Sequence, residues 1–134
     1  MAVQEILRTH PQASTANLEA LARCIDECFS CAAVCTACAD ACLGEEDVAD
    51  LVRCVRLDLD CADICAATGM VLSRQTHVDA ELVRGLVEAC RVACMRCGDE
   101  CERHAEHHDH CRVCAERCRA CEQACADVLS SFGT

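Results

Sequence analysis

Eighteen of the 134 residues are cysteine, and they fall into four rows with regular spacing. Within a row, successive cysteines lie three or four residues apart, with one step of seven in the second row. The rows comprise Cys24, Cys28, Cys31, Cys35, Cys38 and Cys42; Cys54, Cys61 and Cys65; Cys90, Cys94, Cys97 and Cys101; and Cys111, Cys114, Cys118, Cys121 and Cys125. Alternating steps of three and four place side chains on one face of an α-helix. The spacing therefore predicts four helices, each with a stripe of thiols directed into a shared core.

Rows of thiols on helix faces indicate a site for soft metal ions. Thiolates select Cu(I), with zinc and iron–sulfur clusters as competitors. Cysteines at i and i+4 have Cβ atoms about 5–6 Å apart, and metal–sulfur bonds of about 2.3 Å, the value for zinc, let two such thiolates flank one ion in a nearly straight line. One Cu(I) per thiolate also leaves a filled core close to neutral, whereas zinc with four thiolates leaves a doubly negative site. We therefore expect multiple Cu(I) ions bound by all eighteen cysteines.

The inward stripes continue beyond the cysteines to two different ends of the predicted bundle. One end is apolar, with Leu21, Leu72, Val83, Val87, Val128 and Phe132. The other end is polar, with Asp47, Leu51, His104 and His108 on the stripe and His107 and His110 in the adjoining turn. Because only a polar end can exchange ions with water, we expect metal to enter at the histidines. We predict His104 and His108 as metal ligands. For His107 and His110, ligation and simple solvation both remain open.

Asp58 interrupts the second row midway between Cys54 and Cys61. Its heptad position directs the carboxylate inward among the thiols. A buried carboxylate is costly unless it is paired or binds a metal, so we predict that Asp58 either ligates metal or accepts hydrogen bonds from thiols or a histidine. The alternative is a rotated helix, in which Leu57 points inward and Asp58 points outward.

Segments between the rows predict the helix ends. Ser14 or Thr15 is the expected cap of the first bundle helix, and Gly44 is expected to end it. The acids that follow are suited to the first turn of the second helix; they are Glu45, Glu46 and Asp47. Residues 73–79 and 105–110 are predicted loops. Short loops make neighbouring helices antiparallel.

The predicted fold is all-α: an up-down-up-down four-helix bundle of residues 15–134 with a cysteine-lined core. Residues 1–14 form an N-terminal extension with a short helix before Pro11, the only proline. A chain of 134 residues suits one such domain.

Charge and hydropathy indicate the compartment and the partners. The formal net charge of −11 disfavours nucleic acid and anionic membranes as partners. No stretch is long and apolar enough to span a bilayer, and residues 1–16 lack the pattern of a signal peptide. We therefore expect a cytoplasmic protein, in a reducing compartment where disulfides are uncommon.

Other uses of cysteine compete with copper binding. Same-helix pairs are too far apart for disulfides, which need Cβ atoms about 3.5–4.5 Å apart. An iron–sulfur electron carrier is the main alternative, although the ferredoxin pattern ends in Cys-Pro and no proline follows a cysteine here. A zinc or general metal-detoxification protein is the third candidate. We do not expect an enzyme, because no third orienting group accompanies the cysteines and histidines.

Over residues 15–132, the chain resembles the cytosolic four-helix-bundle copper storage proteins of bacteria. The resemblance rests on the CxxxCxxCxxxCxxCxxxC row of the first bundle helix, the three further rows and the histidines between helices three and four. It implies a homotetramer of bundles, each loading many Cu(I) ions through its mouth. Phe29, off the core stripe, is then expected at the subunit interface, and ligation near Asp58 is expected to differ from an all-sulfur site. A copper chaperone or a low-molecular-weight thiol is the expected copper donor.

Overall fold

The computed structural model describes residues 2–14 and 17–132, and every regular element in that part of the chain is helical. The helices are α1 (Ala2–Thr9), α2 (Leu18–Leu43), α3 (Val52–Leu72), α4 (Ala80–His104) and α5 (Asp109–Ser131). A 3₁₀ turn, Val48–Leu51, leads directly into α3. The prediction of an all-α protein is confirmed.

Helices α2 to α5 form the bundle. Each packs against the helices that precede and follow it in the chain, and α5 returns to lie beside α2. With the short connections, this is the predicted up-down-up-down arrangement. Helix α1 packs on α2 and contributes Leu7, 2 % exposed, to the core. Of the described helices, none has the length and apolarity needed to cross a membrane.

The cap position of the first bundle helix lies three residues after Ser14, the first of the two predicted caps. Asn17 precedes α2 with a φ of 64°, in the left-handed region. Asparagine is one of the few non-glycine residues that adopts this conformation readily, so the chain turns into the helix there. The prediction of Ser14 as the cap is wrong, and Thr15 lies outside the described residues.

Two other boundaries differ from the sequence prediction and two agree with it. Helix α2 ends at Leu43 before Gly44, and residues 73–79 separate α3 from α4, as predicted. The three acids after Gly44 precede a 3₁₀ turn instead of opening a helix, and the side chain of Asp47 does not cap it. Helix α5 begins at Asp109, so the predicted loop of residues 105–110 is two residues too long and His110 belongs to a helix.

The core consists mainly of cysteine side chains. All eighteen cysteines are at most 2 % exposed, and the few large apolar side chains that are equally buried include Leu7, Ile25 and Leu51. At the predicted apolar end, Leu72 and Val87 are fully buried. Neutral thiols tolerate burial well, so this core can assemble without metal.

Candidate metal centre

The thiols of the four rows lie in contact along the bundle axis. All eighteen are free and buried. Neighbouring Sγ atoms are 3.6 to 4.0 Å apart, both within a helix and between helices. The four predicted rows therefore meet in one column of sulfur, because heptad spacing directs each row at the same axis.

Groups of four thiols within this column share members. In each group, the Sγ atoms all lie within 4.8 Å of one another. Four of these sets are Cys28, Cys90, Cys121 and Cys125; Cys31, Cys65, Cys94 and Cys121; Cys31, Cys35, Cys61 and Cys118; and Cys35, Cys97, Cys114 and Cys118. Because neighbouring sets share one or two thiols, these sets cannot all become separate four-ligand sites. Filling them requires thiolates that bridge metal ions.

Same-helix thiols are closer than a straight two-sulfur site requires. The Sγ atoms of Cys31 and Cys35 are 3.7 Å apart, and those of Cys61 and Cys65 are 3.8 Å apart. Bonds of about 2.3 Å in a straight line separate two sulfurs by about 4.6 Å, whereas three ligands in a plane separate them by about 4.0 Å. Four tetrahedral ligands at the same bond length separate two sulfurs by about 3.8 Å. The same-helix spacings are therefore too short for the nearly straight pairs expected from the sequence and closer to three- or four-coordinate geometry.

Asp58 lies inside the thiol column. It is 0 % exposed, and its Oδ1 accepts hydrogen bonds from the thiols of Cys97 at 3.0 Å, Cys114 at 3.3 Å and Cys101 at 3.5 Å. The predicted inward orientation is confirmed, and the rotated-helix alternative is wrong. Oδ2 is buried and has no hydrogen-bond partner among the described residues.

The environment of Asp58 favours its neutral form. Burial, reinforced by the nearby Cys114 thiol, raises the pKa of Asp58 to about 7. Near neutral pH the carboxyl group is therefore divided between its protonated and ionised states. The free Oδ2 gives it an oxygen that a metal ion can use.

His110 is the histidine that the structure places against the thiols. Its Nδ1 lies 3.5 Å from Sγ of Cys38, 3.6 Å from Sγ of Cys111 and 4.0 Å from Sγ of Cys42. These four side chains form a possible metal site of three sulfurs and one nitrogen. Burial raises the pKa of Cys111 to about 12 and also raises the pKa of Cys42. Both thiols therefore stay protonated until a metal displaces the proton.

The two histidines that were predicted as ligands, His104 and His108, contact carboxylates. His108 Nε2 hydrogen-bonds to Asp47 Oδ2 at 3.0 Å, its Nδ1 lies 2.9 Å from Glu45 Oε2, and its ring stacks on that of His110 with centroids 5.5 Å apart. The hydrogen bond to Asp47 raises the pKa of His108. The neighbouring carboxylates therefore favour the charged form of the ring. His107 is exposed at the turn.

His104 contacts a buried carboxylate, Glu100, which the sequence analysis missed. His104 Nε2 lies 3.0 Å from Glu100 Oε2, and Glu100 is only 6 % exposed. The other Glu100 oxygen pairs with Arg53 and Arg103, each at 3.4 Å. Glu100 precedes His104 by four residues on one helix, a spacing that brings side chains together. The sequence therefore contained a signal for this pair, whereas the contacts of Glu45 depend on tertiary structure.

The comparisons with known proteins agree with this geometry. The sequence model of the Csp family, described as copper storage protein, matches residues 17–130. This chain belongs to the copper storage protein family.

Two solved structures show how closely members of this copper storage family share the fold. The copper storage protein Ccsp from Streptomyces lividans, loaded with 10 copper equivalents, has a TM-score of 0.93 and 57% identity, over 96% of this chain and 98% of that one. A structure of copper loading to a cytosolic copper storage protein from Streptomyces lividans, with five coppers, has a TM-score of 0.86 and 59% identity, over 87% of this chain and 98% of that one. The resemblance noted from the cysteine rows is confirmed.

A third relative comes from Bacillus subtilis (strain 168). It is the uncharacterized cysteine-rich protein YhjQ, 39% identical over 107 residues, which cover 80% of this chain and 94% of that protein.

Proposed function

We propose that this chain stores multiple Cu(I) ions on the thiolates of its bundle core. The observation that carries the proposal is the column of buried, free thiols in which neighbouring sets share members. Copper-loaded structures of a Streptomyces lividans copper storage protein, with five and with 10 coppers, support it. That relative is described as cytosolic, and we propose the same compartment here. The function is storage, without catalytic turnover.

Shared thiols favour Cu(I) over zinc. Zinc in structural sites requires four ligands of its own, so zinc would fit only those sets that share no thiol and would leave the sets between them unfilled. Cu(I) is compatible with bridging thiolates and binds soft sulfur ligands strongly. Its single charge also balances one thiolate, so the filled column carries little net charge. Iron–sulfur binding remains the alternative to be tested by visible absorption.

Copper is proposed to enter at the histidine end. At the opposite end, the described stripe residues are apolar, and Leu72, Val87 and Val128 are buried. At the histidine end, an imidazole nitrogen already lies against three thiols. The proposed ligands are the eighteen cysteines with Asp58, His104 and His108, as predicted from the sequence, and His110, added from the geometry. His104 and His108 must exchange a carboxylate partner for the ion.

The homotetramer and the copper donor remain proposals from the family resemblance. Phe29 is half-buried within its own chain, where its ring packs on Gly69 so closely that a Cβ there would lie 2.9 Å from ring atoms. Part of the ring is thus used inside the bundle. A subunit interface at Phe29 would use the part that remains exposed.

Anaerobic titration of the reduced protein with Cu(I), against a competing Cu(I) chelator, tests the storage function. We expect binding of a number of ions on the order of the cysteine count, because bridging allows about one ion per thiolate. Saturation at one or two ions would contradict the proposal. Visible absorption bands after purification from cells would instead indicate an iron–sulfur protein, since Cu(I) thiolates have no colour.

A further inference from the structure

We propose that Glu45 is a positioning residue for copper entry: its carboxylate holds the His110 ring so that Nδ1 faces the thiols of the α2–α5 end. This inference rests on the proposed function. Glu45 has no place on the cysteine stripes, and it lies in the connection between α2 and the 3₁₀ turn.

The hydrogen bond from His110 to Glu45 determines which ring nitrogen is free. His110 Nε2 donates to Glu45 Oε2 at 2.8 Å. An ionised carboxylate only accepts hydrogen bonds, so the proton must be on Nε2. The nitrogen left for a metal is Nδ1, which is the one that faces Cys38, Cys42 and Cys111. A metal bound at Nδ1 leaves the bond to Glu45 unchanged, so one arrangement serves the empty and the filled site.

Glu45 also fixes the position of the His110 ring relative to sulfurs that belong to another helix. His110 and Cys111 begin α5, whereas Cys38 and Cys42 end α2. Glu45 follows α2 directly, so its bond fixes the imidazole of α5 against the end of α2. The ring of His108 stacks on the ring of His110, and its Nδ1 lies 2.9 Å from the same Oε2 of Glu45. The orientation is therefore held by a hydrogen bond and by a stacked neighbour.

Carboxylates that accept from the second nitrogen of a ligating histidine typically contribute about 10–100-fold to metal affinity or activity. We expect Glu45→Ala to reduce the rate of Cu(I) uptake from a chelated donor, at less than one equivalent of copper, by about 10-fold or more. Glu45→Gln keeps an oxygen that can accept from Nε2 and should recover most of that rate. Asp47→Ala is the matched control for the ring position of His110. It removes one carboxylate from the same connection, but Asp47 bonds His108 and not His110.

Nitrogen-15 NMR of the histidine rings gives a readout that is independent of rate. Cu(I) is diamagnetic, so the ring nitrogens stay observable as the reduced protein is titrated. In the wild type, His110 should respond at Nδ1 and keep its proton on Nε2. In Glu45→Ala, that response should be divided between the two nitrogens or lost, and in Glu45→Gln and Asp47→Ala it should be retained.

Several outcomes would overturn the inference. They are an unchanged His110 response and uptake rate in Glu45→Ala, an equal loss of the His110 nitrogen response in Glu45→Ala and Asp47→Ala, or no rescue in Glu45→Gln. Final capacity separates this inference from the storage function. If wild type and variants all bind many ions but Glu45→Ala behaves as wild type, only the positioning role fails. If the wild type itself binds one or two ions, the storage function fails.

Discussion

Replacing Asp58 by asparagine should remove a pH dependence of stability from the metal-free protein. In the unfolded chain Asp58 ionises near its ordinary pKa of 3.8, whereas burial raises the pKa to about 7 in the fold. Between these two values the folded state holds a proton that the unfolded state has released. Asp58 therefore does not destabilise the fold below about pH 4. The free energy of unfolding falls as the pH rises from there through 7, above which this loss is complete. Asparagine does not titrate, so Asp58→Asn lacks this loss.

The size of the effect follows from the difference between the two pKa values. One pKa unit corresponds to about 1.4 kcal/mol, so the full difference corresponds to about 4 kcal/mol. About 3 kcal/mol of it falls between pH 5 and pH 8. Relative to wild type, Asp58→Asn should therefore become more stable by about 3 kcal/mol across this range. Near pH 8, thiols of the unfolded chain begin to ionise in both proteins. The informative quantity is therefore the difference in the free energy of unfolding between Asp58→Asn and wild type.

Urea denaturation of the reduced, metal-free proteins, followed anaerobically by far-UV circular dichroism at pH 5, 6, 7 and 8, measures this difference. Asp63→Asn is the matched control, because Asp63 is an exposed aspartate on the same helix. Its pH profile should parallel the wild type. If the profiles of Asp58→Asn and wild type also run parallel, then Asp58 does not retain its proton in the fold, and the argument from its burial is refuted.

Three further predictions concern the histidine end, where copper is proposed to enter, and the packing of the bundle. The double substitution of His104 and His108 by Phe should slow Cu(I) uptake in stopped-flow measurements while final capacity stays nearly unchanged; unchanged rates would argue against entry at this end. Asp47→Asn should lower the pKa of His108 by replacing the ionised acceptor that raises it with a neutral amide, so the fall in uptake rate at low pH should move to lower pH, and an unmoved profile would contradict this. Gly69→Ala should destabilise the metal-free fold by about 1–3 kcal/mol, since its Cβ would meet an aromatic ring at 2.9 Å. The same change at Gly85, where a Cβ meets nothing within 4 Å, should stabilise it by about 0.5–1 kcal/mol, as urea denaturation will show.

The bundle could be predicted from the sequence because its signal is periodic. Four rows of cysteine obey one heptad rule, and that rule also directed Asp58 inward, as the structure confirms. The start of α2 was missed because it depends on a single left-handed residue, Asn17, which leaves no periodic trace. Periodicity reports which face of a helix is buried and is insensitive to such local backbone geometry.

The histidine end was harder to predict because heptad position is a poor guide in the first turn of a helix. His110 lies one residue before Cys111 and thus off the stripe. Side chains on a helix lean toward its N-terminus, so a residue in the first turn of α5 projects over the end of the bundle and reaches the thiols from there. The carboxylate that holds it, Glu45, is 65 residues away in sequence.

The overlap between neighbouring sets of thiols has a consequence for the order in which cargo moves. Where two sets share Cys31 or Cys121, a bound Cu(I) ion could move from one set to the next by exchanging a single sulfur at a time, without leaving coordination. If copper enters only at the histidine end, as proposed, such a path is a queue with a single opening. Ions that arrive first would then be displaced inward by those that follow, and the last to enter would be the first available to an acceptor. A storage protein built in this way would deliver its most recent copper while the oldest stays deepest.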